Sequence, residues 1–272
     1  MAKEHKKVLF IAQELAPYVS HSEIAVKTRS IAEGILEKGY EVRTFMPKYS
    51  CINERRNQLH EVIRLSGINI VIDDTDHPLI IKVATLQPLR MQVYFIDNDD
   101  YFPPCTTKDL ELRFSSEDND ERMMFFVRGV IETVNKLRWE PAVVHCDGWI
   151  SSLVPLHLRR LYTDDPTFAS SKIVVSIPDE KFEGSLDSRF VEKLKMSGFT
   201  DEDLQPLEGE SVGYIDLMKL AIRYADAVVV NVPDPDAELI EYARANGKPV
   251  LDYVSADELV PQITEFYSTL LQ

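Results

Sequence analysis

The sequence predicts a doubly wound α/β domain with a mostly parallel sheet and a β-hairpin insertion. Three observations carry the prediction. Short continuous apolar runs, VLFIA at 8–12, AVVHC at 142–146, KIVVSI at 172–177 and AVVVNV at 227–232, read as strands buried on both faces. Segments of helical spacing lie between them, and strand–helix alternation builds right-handed parallel βαβ units. One block, residues 58–97, breaks the alternation with runs that partly alternate apolar and polar residues.

The elements follow in order. The 8–12 strand leads into a helix over 22–38, because Ile24, Thr28, Ile31 and Ile35 recur at helical spacing and Gly39 after Lys38 stops it. Residues 41–46 form the next strand. HEVIRL, INIVI, LIIKVATL and MQVYFID are short strands parted by Ser66-Gly67, DDTDHP and Gln87-Pro88, an insertion at a sheet edge. A loop rich in Asp, Pro and Ser spans 97–118. Helical spacing returns over 118–137, with Asp118 or Asn119 as cap and Glu121 in the first turn. After the 142–146 strand come a helix over 150–162, the 172–177 strand, helices over 187–196 and 214–224, and the 227–232 strand. A helix over 235–246, a strand at PVLDY and a helix from Ser255 complete the pattern. This is one domain over 1–272 with the β-rich insertion, 58–97, inside it. Ligands in such sheets sit beyond the carboxyl ends of the strands. That directs attention to QELAPYVSHSE, HCDGW, SIPDEKFEG and NVPDPD.

Of 272 residues, 44% are apolar, enough for a sizeable core, and no stretch is long enough to span a membrane. MAKEHKK is basic, but the apolar run behind it is too short for a secretory leader. Cys51, Cys105 and Cys146 are few and far apart. They argue against a disulfide framework and a C-x-x-C metal site, and for a reducing cytoplasm. The net charge of −15 repels polyanions, so nucleic acid is not an expected partner, and without a spanning stretch no membrane is expected either.

Six blocks stand in a recognisable order: KVLFIAQELAPYV, GYEVRTFMPKY, VYFIDNDDYF, DNDERMMFFVRGVIE, VVHCDGWISSLVPLHLR and LMKLAIRYADAVVVNVP. With them, from about Lys7 to Ile240, the chain resembles the N-terminal half of bacterial glycogen and starch synthases, glycosyltransferase family 5. The resemblance implies a Rossmann-like domain, half of the two-domain GT-B fold. In the family this half binds the growing α-glucan, and a second Rossmann-like domain holds most of the ADP-glucose. Glucosyl transfer occurs in the cleft between them, without a metal and with retention at the anomeric carbon.

The chain departs from the family pattern at that cleft. Glu14 keeps the acid of the family's E-x-A-P turn, but the K-T-G-G-L-G-D that follows is replaced by Ser20, His21, Ser22, Glu23, Ile24, Ala25 and Val26. Lysine supplies a cation for nucleotide phosphates, and glycines let backbone N–H groups approach an anion. Ser20 has no charge, and Glu23 puts a carboxylate where the anion would sit. The family's H-A-H-D-W-H aligns with His145, Cys146, Asp147, Gly148, Trp149 and Ile150, so two of three histidine positions are lost. Its T-I-H-N-L-A-Y-Q-G becomes SIPDEKFEG, with Pro178 and Asp179 in place of His-Asn. A second GT-B domain is absent from the 272 residues, and the segment after Pro235 reads as a local completion of the sheet.

The candidates of a degenerate cleft are therefore Glu14, Ser20, His21, Glu23, His145, Asp147, Trp149 and Asp179, with no catalytic, cofactor or metal role expected. His145 ends a buried strand and reads first as a structural histidine. Trp149 reads as a core anchor ahead of a sugar-stacking platform, and Asp147 as a helix N-cap ahead of an acid or base. His21 and Glu23 alone are too few to hold a metal. Tyr94, Phe95, Tyr101 and Phe102 read as core and hairpin packing, and Cys146 as a buried, unactivated thiol.

The expected function is that of a glycogen/starch synthase-like domain of glucan metabolism, inactive as an isolated chain. It would bind a protein partner or α-glucan, with nucleotide-sugar binding doubtful. The alternative is the acceptor-side half of a split ADP-glucose-dependent glucosyltransferase completed by a separate donor domain. A third class is another small-molecule site on the same scaffold. Glu23, Asp147 and Asp179, if adjacent, would line an acidic pocket for a neutral or cationic ligand.

Overall fold

Seven parallel strands carry the domain: β1 (Lys7–Ala12), β2 (Glu41–Pro47), β6 (Met91–Asp97), β7 (Val143–Asp147), β8 (Lys172–Ile177), β9 (Ala227–Val230) and β10 (Val250–Leu251). Three antiparallel strands extend one side: β3 (His60–Glu61), β4 (Ile68–Ile72) and β5 (Thr75–Leu86). The sheet order is β10-β9-β8-β7-β1-β2-β6-β5-β3, with β4 paired to β5 off that path. The computed structural model describes residues 6–19, 22–102, 118–177, 181–209 and 211–272. The candidates Ser20, His21 and Asp179, and most of the expected 97–118 loop with Cys105, lie outside those residues.

Among the described residues the helices are α1 (Glu23–Glu37), α2 (Asn119–Leu137), α3 (Val154–Arg160), α4 (Phe190–Met196), α5 (Tyr214–Tyr224), α6 (Ala237–Ala245) and α7 (Ala256–Leu270). Successive strand residues face opposite sides of the sheet. Thus Leu9 and Ile11 of β1 pack with α2 to α6, while Val8, Phe10 and Ala12 pack with α1 and α7. Helices on both faces bury the sheet, which explains its unbroken apolar strands. No helix of the described residues is long and apolar enough to cross a membrane.

Several expectations shift in detail. The turns that flank MQVYFID place it in the insertion, but β6 pairs in parallel with β2 and belongs to the main sheet. The antiparallel excursion is therefore β3 to β5. The helix expected over 150–162 is instead a 3-10 turn, Trp149–Ser151, followed by α3, with Pro155 in its first turn. Proline has no N–H to give and favours a helix start. The helix expected from residue 187 starts at Phe190, because Asp187 accepts from the Arg189 backbone N–H at 2.8 Å and closes a turn there. Asp118 stands at the cap position of α2 but makes no capping bond; it pairs with Arg122 at 3.1 Å. Tyr94, Phe95, Tyr101 and Phe102 are all buried, as expected of core residues.

Candidate functional site

The β1–α1–β2 connection steps one way along the sheet, whereas β6–α2–β7 crosses to the other side of β1. The order reverses between β1 and β7, and the carboxyl ends of those strands are where such a sheet opens a crevice. Ala12 and Asp147 stand side by side there, and the Gln13 backbone N–H donates to the Asp147 carbonyl at 2.9 Å. Glu14, the α1 N-terminus, Asp147 and Trp149 all converge on this end.

The α1 N-terminus is capped from within. Ser22 has extended backbone angles, and its Oγ accepts from the Ala25 N–H at 3.1 Å. One of the donors an anion would need is thereby taken. Glu23 is exposed in the first turn, where its carboxylate favours the helix dipole. Glu14 is fully buried.

Asp147 does not cap a helix, contrary to the sequence expectation. Gly148 follows it at φ 91°, and a Cβ there would lie 2.4 Å from the Gln13 Cβ, so only glycine fits the turn. The Asp147 carboxylate accepts instead from Thr28 Oγ1 of α1 at 2.8 Å and from Asn231 Nδ2, just past β9, at 3.2 Å. Burial pushes its carboxyl up, against the pull of the Thr28 bond, the Lys27 charge and the bonds from Ser176 and Asn231. Asp147 is only 5% exposed while Glu23 is open to solvent. The carboxylate that would help line an acidic pocket is turned into the core.

His145 is fully buried and bonded at both nitrogens. Nδ1 meets the Tyr267 hydroxyl of α7, and Nε2 meets Ser176 Oγ at 2.5 Å. Burial lowers its pKa to about 3 and raises that of Tyr267, so imidazole and phenol both stay neutral. A neutral imidazole has one donor and one acceptor nitrogen, and Tyr267 and Ser176 take up both, while Ser176 also lowers the Asp147 carboxyl from its own side. One chain of bonds joins the last helix to the centre of the sheet. As expected, His145 is a satisfied structural residue.

Trp149 is 2% exposed and packs edge-on against Phe182, with ring centroids 5.3 Å apart. Its rings are thus core anchors, as the sequence suggested. Its indole Nε1–H has no hydrogen-bond partner among the described residues. Cys146 is buried, and burial pushes its thiol pKa far up, which keeps it inert. Among the described residues no three His, Cys, Asp or Glu side chains group to hold a metal ion.

Thr28, Ser176, Asn231 and Tyr267 complete this site, and sequence reasoning did not single them out. Tyr267 does carry a signal, because Leu259, Ile263 and Tyr267 form the buried stripe of α7 at helical spacing. Nothing local indicates that its hydroxyl meets a histidine 122 positions away.

The family model for the starch synthase catalytic domain matches residues 7–247. The chain is 34% identical over 234 residues to a glycogen synthase of Chlorobaculum parvum, covering 86% of this chain and 47% of that protein. It is 36% identical over 195 residues to a glycogen synthase of Chlorobium luteolum, covering 71% and 40%. The chain thus spans about half or less of the length of the curated relatives it matches. Among solved structures it resembles the catalytic domain of Starch Synthase IV from Arabidopsis thaliana bound to ADP and acarbose. The TM-score is 0.73 at 17% identity, over 93% of this chain and 53% of that one, a likeness of fold. The six sequence blocks, the doubly wound sheet and the family match agree, and the chain belongs to the starch synthase catalytic domain family, glycosyltransferase family 5.

Proposed function

We propose that this domain serves glucan metabolism by binding, to α-glucan or to a protein partner, and does not itself transfer glucose. The observation that carries this is the closed hydrogen-bond chain Tyr267–His145–Ser176–Asp147, with Thr28 and Asn231 on the same carboxylate. A group that acts on a substrate needs a free lone pair or proton facing it, and these groups turn theirs on one another. The α1 N-terminus offers a phosphate a carboxylate, Glu23, rather than a cation. The named relatives are glycogen synthases, which favours a glucan over an unrelated ligand.

Purified chain is incubated with labelled ADP-glucose and glycogen, and co-sedimentation with glycogen is measured in parallel. The expected result is no incorporated glucose. Incorporation by the chain alone overturns the proposal. Incorporation only after addition of a separately expressed donor domain from a relative identifies the acceptor half of a split transferase instead.

A further inference from the structure

Among the described residues the β4–β5 hairpin leaves one strand edge unpaired, and β4 pairs with β5 alone. Asp73 and Asp74 form its two-residue turn, both at positive φ, and Ile72 faces Thr75 across it. In such a hairpin Ile72 and Ile70 direct their backbone groups to β5, while Val71 and Asn69 direct theirs outward. The Arg128 guanidinium of α2 donates to the Val71 carbonyl and marks that outward direction independently.

A groove of about 480 Å³ runs beside this edge, walled by Val71, Arg128, Tyr162, Leu161 and Met196. Six large hydrophobic side chains are exposed among the described residues. Three of them, Val71 (47%), Leu161 (43%) and Met196 (46%), line this one groove. Single exposed apolar residues are ordinary, but three gathered beside an open edge mark an interaction surface. Asp74 and Asp76 are exposed on the hairpin, while Asp73 is held by Arg189 through bonds of 2.6 and 2.8 Å. A net charge of −15 disfavours a second copy of the chain here and favours a cationic partner.

We propose that the open edge of β4 and its groove dock an extended, basic segment of a partner protein, added to β4 as a strand. A partner N–H takes the Val71 carbonyl from Arg128. Alternate apolar side chains enter the groove against Leu161 and Met196, and lysines or arginines between them meet Asp74 and Asp76. Main-chain bonds supply affinity in this mode, and the alternate side chains supply specificity. The surface shares no residue with the strand-end site, so the proposal stands whether or not the domain transfers glucose.

The probe is a fluorescent peptide of alternating lysine and valine, set against its glutamate–valine counterpart and a version with a central proline. Fluorescence anisotropy at physiological salt reads the binding. The lysine–valine peptide is expected to bind saturably, about tenfold or more tighter than either control. Val71→Pro is expected to weaken it about tenfold, because Pro there removes an outward donor and no ladder bond. If that variant fails to fold by circular dichroism, Leu161→Lys on the groove wall is expected to show the same loss. No saturable binding overturns the proposal. Equal binding of the proline peptide, or binding unchanged in the folded variant, overturns it too and leaves only attraction to an acidic surface.

Discussion

At the carboxyl ends of β1 and β7, polar side chains from α1, β7, β8, the segment after β9 and α7 turn inward and bond one another, while the Trp149 indole N–H beside them has no partner among the described residues. At the β4 edge, which begins 56 positions after β1 ends, backbone groups and apolar side chains turn outward. The first region lies where an α/β sheet ordinarily works, and the second lies on an excursion from it. The contrast teaches that position in the fold does not decide which surface is available for binding. What decides is whether the polar groups there are buried against one another or, like the Val71 carbonyl held by the Arg128 side chain, lie at an exposed edge. A buried group that is fully bonded adds stability and specificity to the core, and has little left for a ligand.

The largest effect that separates the two regions is on stability. Tyr267→Ala removes a fully buried ring and is expected to cost about 3–5 kcal/mol. Tyr267→Phe keeps the packing but leaves His145 Nδ1 without its partner, at about 1–3 kcal/mol. Val71→Ala, on the exposed edge, is expected to stay within about 0.5 kcal/mol. Urea unfolding of the three variants ranks them. A silent Tyr267→Phe would break the comparison, because the hydrogen-bond chain would then contribute nothing to the closure.

The next effect appears in acid. His145 is held neutral in the fold, its pKa lowered from 6.5 to about 3 by burial. Between those values the unfolded chain binds the proton and the folded chain does not. Stability therefore falls as pH falls from 6.5 toward 3, by about 1.4 kcal/mol per pH unit for this group. Asp147 acts in the opposite sense, since burial raises its pKa and costs stability as pH rises above 3.8. His145→Gln keeps a donor and an acceptor but does not titrate, and Asp147 is common to both proteins. The difference between their pH–stability curves isolates the histidine. The wild-type curve is expected to fall more steeply below pH 6.5, and parallel curves would mean that His145 is not buried neutral.

What was legible in the sequence follows the range of the physics. Apolar runs and helical spacing are local, and so were the strands and helices they predicted. The outward alternation of INIVI and the DDTD turn announced a hairpin, since Asp tolerates positive φ. The status of His145 and Trp149 as buried residues was legible because each adjoins an apolar strand. For Asp147 the sequence points to a helix cap, because its neighbours suggest a helix start. Its true partners, Thr28 and Asn231, lie 119 and 84 positions away. That contact depends on which strands become neighbours and on the turn that Gly148 alone permits. Likewise β6 looked like the insertion because only the sheet order shows it pairing with β2.

The smallest effect concerns the helix end where an anion would sit. Glu23 is exposed in the first turn of α1, and Glu23→Gln removes its interaction with the helix dipole. The expected loss is about 0.3–1 kcal/mol at low ionic strength, and less in high salt. Isothermal titration with ADP on the same variant is expected to show no binding. Ser22 still occupies the Ala25 N–H, and no lysine stands at position 20 to meet a phosphate. If ADP does bind the variant, then one carboxylate alone had closed the crevice. The contrast with the β4 edge would then be one of charge rather than of buried and exposed groups.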